Sequence, residues 1–367
     1  MIKKNILLFA PELGGGGVEK NLFLIANYFS KKFRKVSIIS ASSEYKNRFD
    51  KNIEFVAPQS KMFIKTNNRQ LKIIVSLFLL IKYYFNNPKF TVLSFKGNLY
   101  CCLICKILGI KVILRSNASI TGWSKGFVRY FLYKSISKMA DKIIVNSLEF
   151  KKEYKKKFNI QTYCIYNPLN KNEIIKKSKE KIIFPFFKKN TTNFINIGRL
   201  VDQKDQITIL KSFKILKKKT NFKFKLLVIG DGVNKDYLKK FIKNNNLGKH
   251  IKIMNFQKNP YPYLKRSEVV ILSSLFEGLP NVLLESLCLK KFVISSNCPT
   301  GPKEILDFGK NGLLFQTKNK NDLLKKIIYY LQNKKKCEVL LRNGVNRLWR
   351  FDYHSNLQKY IKVINSQ

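Results

Sequence analysis

Short apolar runs alternate with longer amphipathic stretches along the whole chain. NILLFA (5–10), KVSIIS (35–40), FTVLSF (90–95), KVILRS (111–116) and KIIVNS (142–147) read as strands in the first half. FINIGRL (194–200), KFKLLVIGDG (223–232), HIKIMNF (250–256), EVVILSS (268–274) and KFVISS (291–296) repeat the pattern in the second. Strands separated by helix-length segments predict parallel sheets wrapped by helices. The stretch between the two sets, 167–192, is lysine-rich, opens on Asn-Pro and reads as an interdomain connection. The pattern therefore predicts an α/β protein of two doubly wound domains, at 1–172 and 192–345, with a linker at 173–191 and a C-terminal helix at 346–367. Such sheets bind ligands beyond the carboxyl ends of their strands, so two facing domains are expected to share a cleft.

Composition narrows the class. Of 367 residues, 45% are hydrophobic and 25% charged, which suits a globular enzyme-sized chain and excludes disordered or collagen-like ones. Lys+Arg outnumber Asp+Glu by 71 to 22, a net charge of +49 that attracts phosphates, nucleic acid or an anionic membrane surface. Only ten of those cations are arginine. Base-reading surfaces favour Arg for its bidentate fork, so 61 lysines argue against sequence-specific DNA recognition, and compositional drift accounts for part of the excess. The seven cysteines are odd in number, without repeated spacing, and read as reduced cytosolic thiols. The apolar run at 6–10 is too short for a signal-peptide core, and the one at 73–81 falls far below the ~20 residues of a transmembrane helix.

Three places carry candidate chemistry. Glycines 14–17 follow the first strand and precede a helix, where close approach of backbone N–H groups and the helix dipole suit an anion. Glu19 stands where a dinucleotide fingerprint needs its third glycine, and no Lys-Ser/Thr follows, so neither an NAD site nor an ATP loop is indicated. The first strand of the second domain ends in Gly198, Arg199 and Leu200, and Lys204 follows. Two cations at that carboxyl edge could bind a diphosphate. The third place is 267–289, where 23 residues contain no cation although composition predicts roughly four. Glu277 and Glu285 sit there, separated by Gly278, Leu279, Pro280 and Asn281, with Pro280 expected at the first helical position. Carboxylates without nearby cations suit sugar hydroxyls, and backbone amides between Gly278 and Asn281 are expected to donate to others. A later turn, Pro299 to Glu304, could complete the same pocket.

Taken together, Gly16, Gly17 and Glu19, then Gly198, Arg199, Leu200 and Lys204, then Glu277 and Glu285 with seven residues between, resemble a family 4 retaining glycosyltransferase of the GT-B fold. VIGDG (228–232), Asn255, Phe256, Asn259, Pro260, Gly301, Glu304 and NGLLF (311–315) extend the likeness over nearly the whole chain. The resemblance implies two Rossmann-like domains, with the C-terminal helix a candidate to cross back to the first. It implies that Arg199 and Lys204 bind the diphosphate of a nucleotide sugar, most simply UDP, while Gly198 and Phe256 line the site. Glu277 with the amides of 278–281 would bind the sugar and Glu285 the ribose, and the glycine loop would close over the phosphates. It further implies front-face transfer with retention, neither metal nor cofactor being required, in agreement with the lack of an Asp-x-Asp pair. Many relatives carry a histidine after the strand KVILRS. Here Arg115, Ser116, Asn117 and Ala118 stand there, so Ser116 or Asn117 is the candidate replacement, while His250 and His354 read as structural or surface residues.

Acceptors of such enzymes bind the first domain, where 68–85 and 124–140 are basic and apolar. Phe127, Tyr130, Phe131 and Lys134 share helical spacing suited to a membrane interface. The expectation is a cytoplasmic enzyme, peripheral on the inner face of the membrane, that extends a polyprenyl-linked saccharide and binds no nucleic acid. A GT-B sugar-nucleotide epimerase and a non-enzymatic basic nucleic-acid-binding protein are the competing readings. The first needs acid/base groups in a histidine-poor chain, and the second leaves the cation-free window unexplained.

Overall fold

A computed structural model describes residues 2–66, 68–87, 89–117, 120 and 126–366. The chain forms two compact units, 1–168 with 354–367, and 169–353. In the first unit the strands are β1 (Ile2–Phe9), β2 (Phe33–Ile39), β3 (Glu54–Val56), β4 (Thr91–Ser94), β5 (Lys111–Ser116), β6 (Lys142–Val145) and β7 (Tyr163–Cys164). They pair in the order β3-β2-β1-β4-β5-β6-β7, all parallel. The second unit holds β8 (Thr192–Ile197), β9 (Phe224–Ile229), β10 (Ile251–Met254), β11 (Val269–Leu272), β12 (Phe292–Ser296) and β13 (Leu313–Phe315). Their order is β10-β9-β8-β11-β12-β13, again all parallel.

The apolar runs become strands because helices cover both faces of each sheet. In β1, Ile6, Leu7, Leu8 and Phe9 are all buried, as a central parallel strand requires, with Ile6 in register with Val36 on one side and Thr91 on the other. Phe194, Leu226, Val228, Val269 and Ile294 form the corresponding core of the second unit together with Phe213 of helix Gln206–Lys219. Strand order reverses between β1 and β4 in one sheet and between β8 and β11 in the other. Those two switch points are where doubly wound sheets leave room for a ligand.

All ten runs read as strands form strands. The three additional strands, β3, β7 and β13, are the short outer members of their sheets. The segment read as a linker at 173–191 begins inside a helix, Lys171–Ser178, whose cap Asn170 accepts from the Glu173 N–H at 3.1 Å. The terminal helix Tyr353–Asn365 is tied to the first unit by Lys142, whose ammonium donates to the carbonyls of Val363 (3.0 Å) and Ser366. KVILRS is strand throughout, so Arg115 and Ser116 belong to β5 rather than to the loop after it.

Candidate functional site

The switch point of the second sheet is stitched together by its own side chains. β8 runs out through Gly198 and Arg199 into a single 3-10 turn, Asp202–Lys204, and β11 runs out through Ser273 and Ser274 towards Glu277. The Gln203 carbonyl accepts from the Leu275 N–H at 2.8 Å, and the Gln203 amide donates to the Phe276 carbonyl at 2.9 Å. Ser273 Oγ donates to the Lys204 carbonyl at 2.7 Å, and Ser296 Oγ, from β12, to the Ser274 carbonyl at 2.6 Å. Lys204 Nζ lies 2.5 Å from Glu277 Oε1, which also accepts from Ser274 Oγ at 2.6 Å. Glu277 is 8% exposed, so this is a nearly buried, hydrogen-bonded ion pair.

The pair corrects one expectation. The window 267–289 is free of cations in sequence, but Lys204 reaches its carboxylate from 73 positions away. Arg199 is exposed and donates to Gln203 Oε1 at 3.4 Å, so the two cations expected to act together take different partners. Gly278, Leu279 and Pro280 are buried. Pro280 caps the helix Asn281–Cys288 rather than occupying its first turn, and Glu285 lies within that helix at 7% exposure. The turn after β12 packs onto this loop: Thr300 Oγ1 donates to the Glu277 carbonyl at 2.5 Å, and Gly301 has φ +25°. A Cβ on Gly301 would run into the Gly278 carbonyl oxygen, so only glycine admits the close approach. Burial, then the negative charge of Glu277, pushes the Cys298 thiol up to about 12, which leaves it a protonated, inert neighbour.

Around the same edge, Asp231 of VIGDG accepts from Lys235 Nζ at 2.6 Å and from the Phe256 N–H at 2.7 Å. These contacts hold its carboxyl below the usual range and fix the backbone under the half-exposed Phe256 ring. Gln203, Ser273 and Ser274 were not singled out from sequence, whereas Thr300 lies in the turn expected to complete the pocket. The paired serines at the end of a cation-free strand were the available signal.

In the first unit, Gly16 caps helix Gly17–Phe29, and Glu19 in its first turn is buried and paired with Lys96. Ser116 is 1% exposed and accepts from Tyr154 OH at 3.1 Å. Asn117 donates through Nδ2 to the carbonyls of Phe95 (2.9 Å) and Arg115 (3.2 Å), and its Oδ1 has no partner among the described residues. Ala118 lies outside the described residues. Arg115 is fully buried: Nε donates to Tyr360 OH and Nη2 to Asn167 Oδ1, each at 2.7 Å. His250 is held below its ordinary value by burial and by Lys217. His354 is a ring neighbour of Tyr28.

Helix Phe127–Met139 exposes Phe127 (80%), Val128, Phe131 (55%) and Leu132. Tyr130 turns the other way, donating to the Lys157 carbonyl at 2.7 Å, so it leaves the expected apolar face while Val128 and Leu132 join it. The start of that stretch, 124–125, lies outside the described residues. Helix Arg69–Asn86 likewise exposes Ile74, Phe78 and Phe85. Among the described residues no helix is long and apolar enough to cross a membrane.

The glycosyl transferases group 1 family matches residues 178–347, inside the second unit. MJ1059 of Methanocaldococcus jannaschii, an uncharacterized glycosyltransferase, is 39% identical over 180 residues, 47% of this chain and 44% of that protein. Over nearly full length, 94% of this chain and 95% of the relative, the chain is 25% identical to a Campylobacter jejuni protein. That relative is the N-acetylgalactosamine-N,N'-diacetylbacillosaminyl-diphospho-undecaprenol 4-alpha-N-acetylgalactosaminyltransferase. In fold, the crystal structure of Anabaena Alr3699/HepE in complex with UDP and glucose superposes with a TM-score of 0.80, covering 99% of this chain and 100% of that one at 16% identity. These likenesses favour a transferase over the epimerase and nucleic-acid readings.

Proposed function

We propose that this chain, which belongs to the GT-B glycosyltransferases and carries the group 1 signature in its second unit, moves a hexose or N-acetylhexosamine from UDP to a polyprenyl-diphosphate-linked saccharide, with retention of configuration. The observation that carries the proposal is the Lys204–Glu277 pair at the second switch point, beside the N-terminus of helix Asn281–Cys288. Glu277 presents carboxylate oxygens to sugar hydroxyls, and Glu285 accepts from the ribose. As the bond to the anomeric carbon breaks, negative charge grows on the departing diphosphate. Arg199, Lys204 and the positive end of the helix Asn281–Cys288 stabilise that charge, and such preorganised groups lower the barrier without a metal. A weakly basic leaving phosphate on the same face can take the acceptor's proton, which gives retention.

The lipid-linked acceptor rests on the named substrate of the Campylobacter relative and on the exposed aromatics of helix Phe127–Met139. Lysines beside those rings suit the anionic inner face of a membrane, where apolar burial and headgroup attraction add. The test is incubation of the protein with UDP-sugars and polyprenyl-diphosphate saccharides from membrane extracts, with the new linkage assigned by NMR. An α-linked product from an α-linked donor is expected. A β-linked product would overturn retention, and failure to bind UDP would overturn the donor site.

A further inference from the structure

The amino-terminal edge of the second sheet, opposite its switch point, carries a basic and apolar surface away from the groups assigned to the reaction. Three strand starts are stitched together there. The Thr192 N–H donates to the Lys223 carbonyl at 3.0 Å, the Leu226 N–H to the His250 carbonyl at 2.9 Å, and Lys225 Nζ to the Lys249 carbonyl. The loop leading into β8 joins them through Lys188, whose carbonyl accepts from Asn193 Nδ2 at 3.2 Å. Lys188, Lys223, Lys225 and Lys249 are thereby gathered on one edge, with the exposed Lys189 next in the chain. Glu268 reaches this edge but is already matched, its Oε1 accepting from the Asn193 N–H at 3.2 Å and its Oε2 from Lys334 at 3.1 Å. Burial and then Lys188 hold the Lys225 ammonium below its ordinary value, as crowding by like charge dictates.

The same loop presents apolar groups. Phe184 is buried, with the rings of Tyr263 and Phe187 each 5.2 Å away, and this packing holds the loop while Ile183 stands outside it at 99% exposure. Lys225 Nζ lies 5.0 Å from the ring centroid of the half-buried Phe186, and Lys252 Nζ 5.7 Å from that of Phe184. The rings are therefore covered by the chain's own ammonium groups instead of lying open for bases to stack, and lysine rather than arginine supplies the charge. An aliphatic side chain held in water among crowded lysines fits an anionic bilayer: the apolar group enters the interface while the ammonium groups stay with the phosphates. We propose that the loop 181–189, with Lys223, Lys225 and Lys249, is a membrane-contact surface of the second unit, separate from helix Phe127–Met139 of the first. The charge and exposure that carry it do not depend on the glycosyltransferase reading.

The test uses the full chain and vesicles of phosphatidylcholine with and without phosphatidylglycerol. Ile183→Asp changes a fully exposed side chain, so the melting transition and UDP affinity should match the wild type while partition onto the anionic vesicles falls about tenfold. Lys188→Glu combined with Lys189→Glu should lower partition by a similar factor at low salt and by less at high salt. Ile183→Trp reports insertion directly, because its added fluorescence should be quenched by brominated acyl chains in the anionic vesicles. No partition of the wild type, unchanged partition of Ile183→Asp, or added Ile183→Trp fluorescence that the bromines do not quench would overturn the proposal. A lysine variant that loses a single-stranded oligonucleotide but keeps the vesicles would also overturn it, and would assign the surface to nucleic acid.

Discussion

The two units place a lysine–glutamate pair at the same topological position with the partners exchanged. In the second unit the cation follows the central strand β8 and the acid follows β11. In the first unit the acid follows β1 and the cation follows β4. Neighbours separate them further. Glu277 is matched by one ammonium and one hydroxyl within a lattice of backbone bonds, and the close-approaching glycine there, Gly301, meets a carbonyl. Lys96 faces two carboxylates, and the close-approaching glycine there, Gly16, meets a side chain. Topology fixes where a site forms; the sign of the residual charge decides what can occupy it. A charge-matched edge flanked by the exposed Arg199 suits an arriving diphosphate.

The largest test of this contrast removes the acid of the second pair. Glu277→Gln should lower kcat about 10²–10³-fold, the scale of one lost group in a preorganised site, with the melting transition retained because the amide oxygen still accepts from Ser274 and Lys204. Normal turnover would remove Glu277 from the site.

A smaller effect is expected from the apolar surface of the first unit, a helix face where the second unit offers a loop. Phe127→Ser with Phe131→Ser removes two exposed rings from helix Phe127–Met139. Binding to vesicles containing anionic lipid should weaken about tenfold or more, since each ring that inserts contributes roughly 1.5–3 kcal/mol. UDP affinity in solution should not change. Equal vesicle binding by the variant and the wild type would detach membrane affinity from this helix.

What could be read from the sequence divides along the same physical line. Buried parallel strands announce themselves as continuous apolar runs, so β1, β2, β4, β5, β6 and β8 to β12 were legible. The strands β3, β7 and β13 have two or three residues each and lie at sheet edges, too short for a periodic signal. Within the second unit, order along the chain brought Gly198, Lys204 and Glu277 to one edge as expected, yet the bond between Lys204 and Glu277 was hidden by a separation of 73 residues. The counterpart in the first unit was harder still. Glu19 drew notice as the residue displacing a glycine, and Lys96 is one lysine among 61. Tyr130 shows the remaining limit: helical spacing put it beside Phe131, but its hydroxyl found the Lys157 carbonyl and turned the ring inward.

A weaker perturbation asks whether the edge of the first unit depends on the chain's return. Arg115 is buried, with Tyr360 of helix Tyr353–Asn365 accepting from its Nε and Asn167 from its Nη2. Its own carbonyl accepts from Asn117 and from Asn98 Nδ2 at 3.0 Å, so the guanidinium and the end of β5 that carries Asn117 share one residue. Tyr360→Phe leaves a buried N–H unpaired, a cost of about 1–3 kcal/mol. Each kcal/mol lowers the melting temperature of a domain this size by roughly 2–4 °C. The acceptor KM should rise while UDP affinity holds; a change in UDP affinity of equal size would show that the two edges are not independent.

The smallest effect lies in the second unit, at Asp231. Its hydrogen bond from Lys235 and then that from the Phe256 N–H favour the ionised carboxylate, so the native pKa lies below the ordinary 3.8. The stabilisation is complete above that ordinary value and is lost as pH falls through the lower native one. At neutral pH Asp231→Asn keeps an acceptor for the Phe256 N–H and loses only an exposed ion pair, so stability should change by less than about 1 kcal/mol. The Phe256 amide resonance is the sharper probe: it should titrate in the wild type with a midpoint below 3.8 and stay flat in Asp231→Asn. A flat wild-type curve would mean that the loop carrying Phe256 is set by its own backbone, and that a carboxylate organises the edge of the second unit only at Glu277.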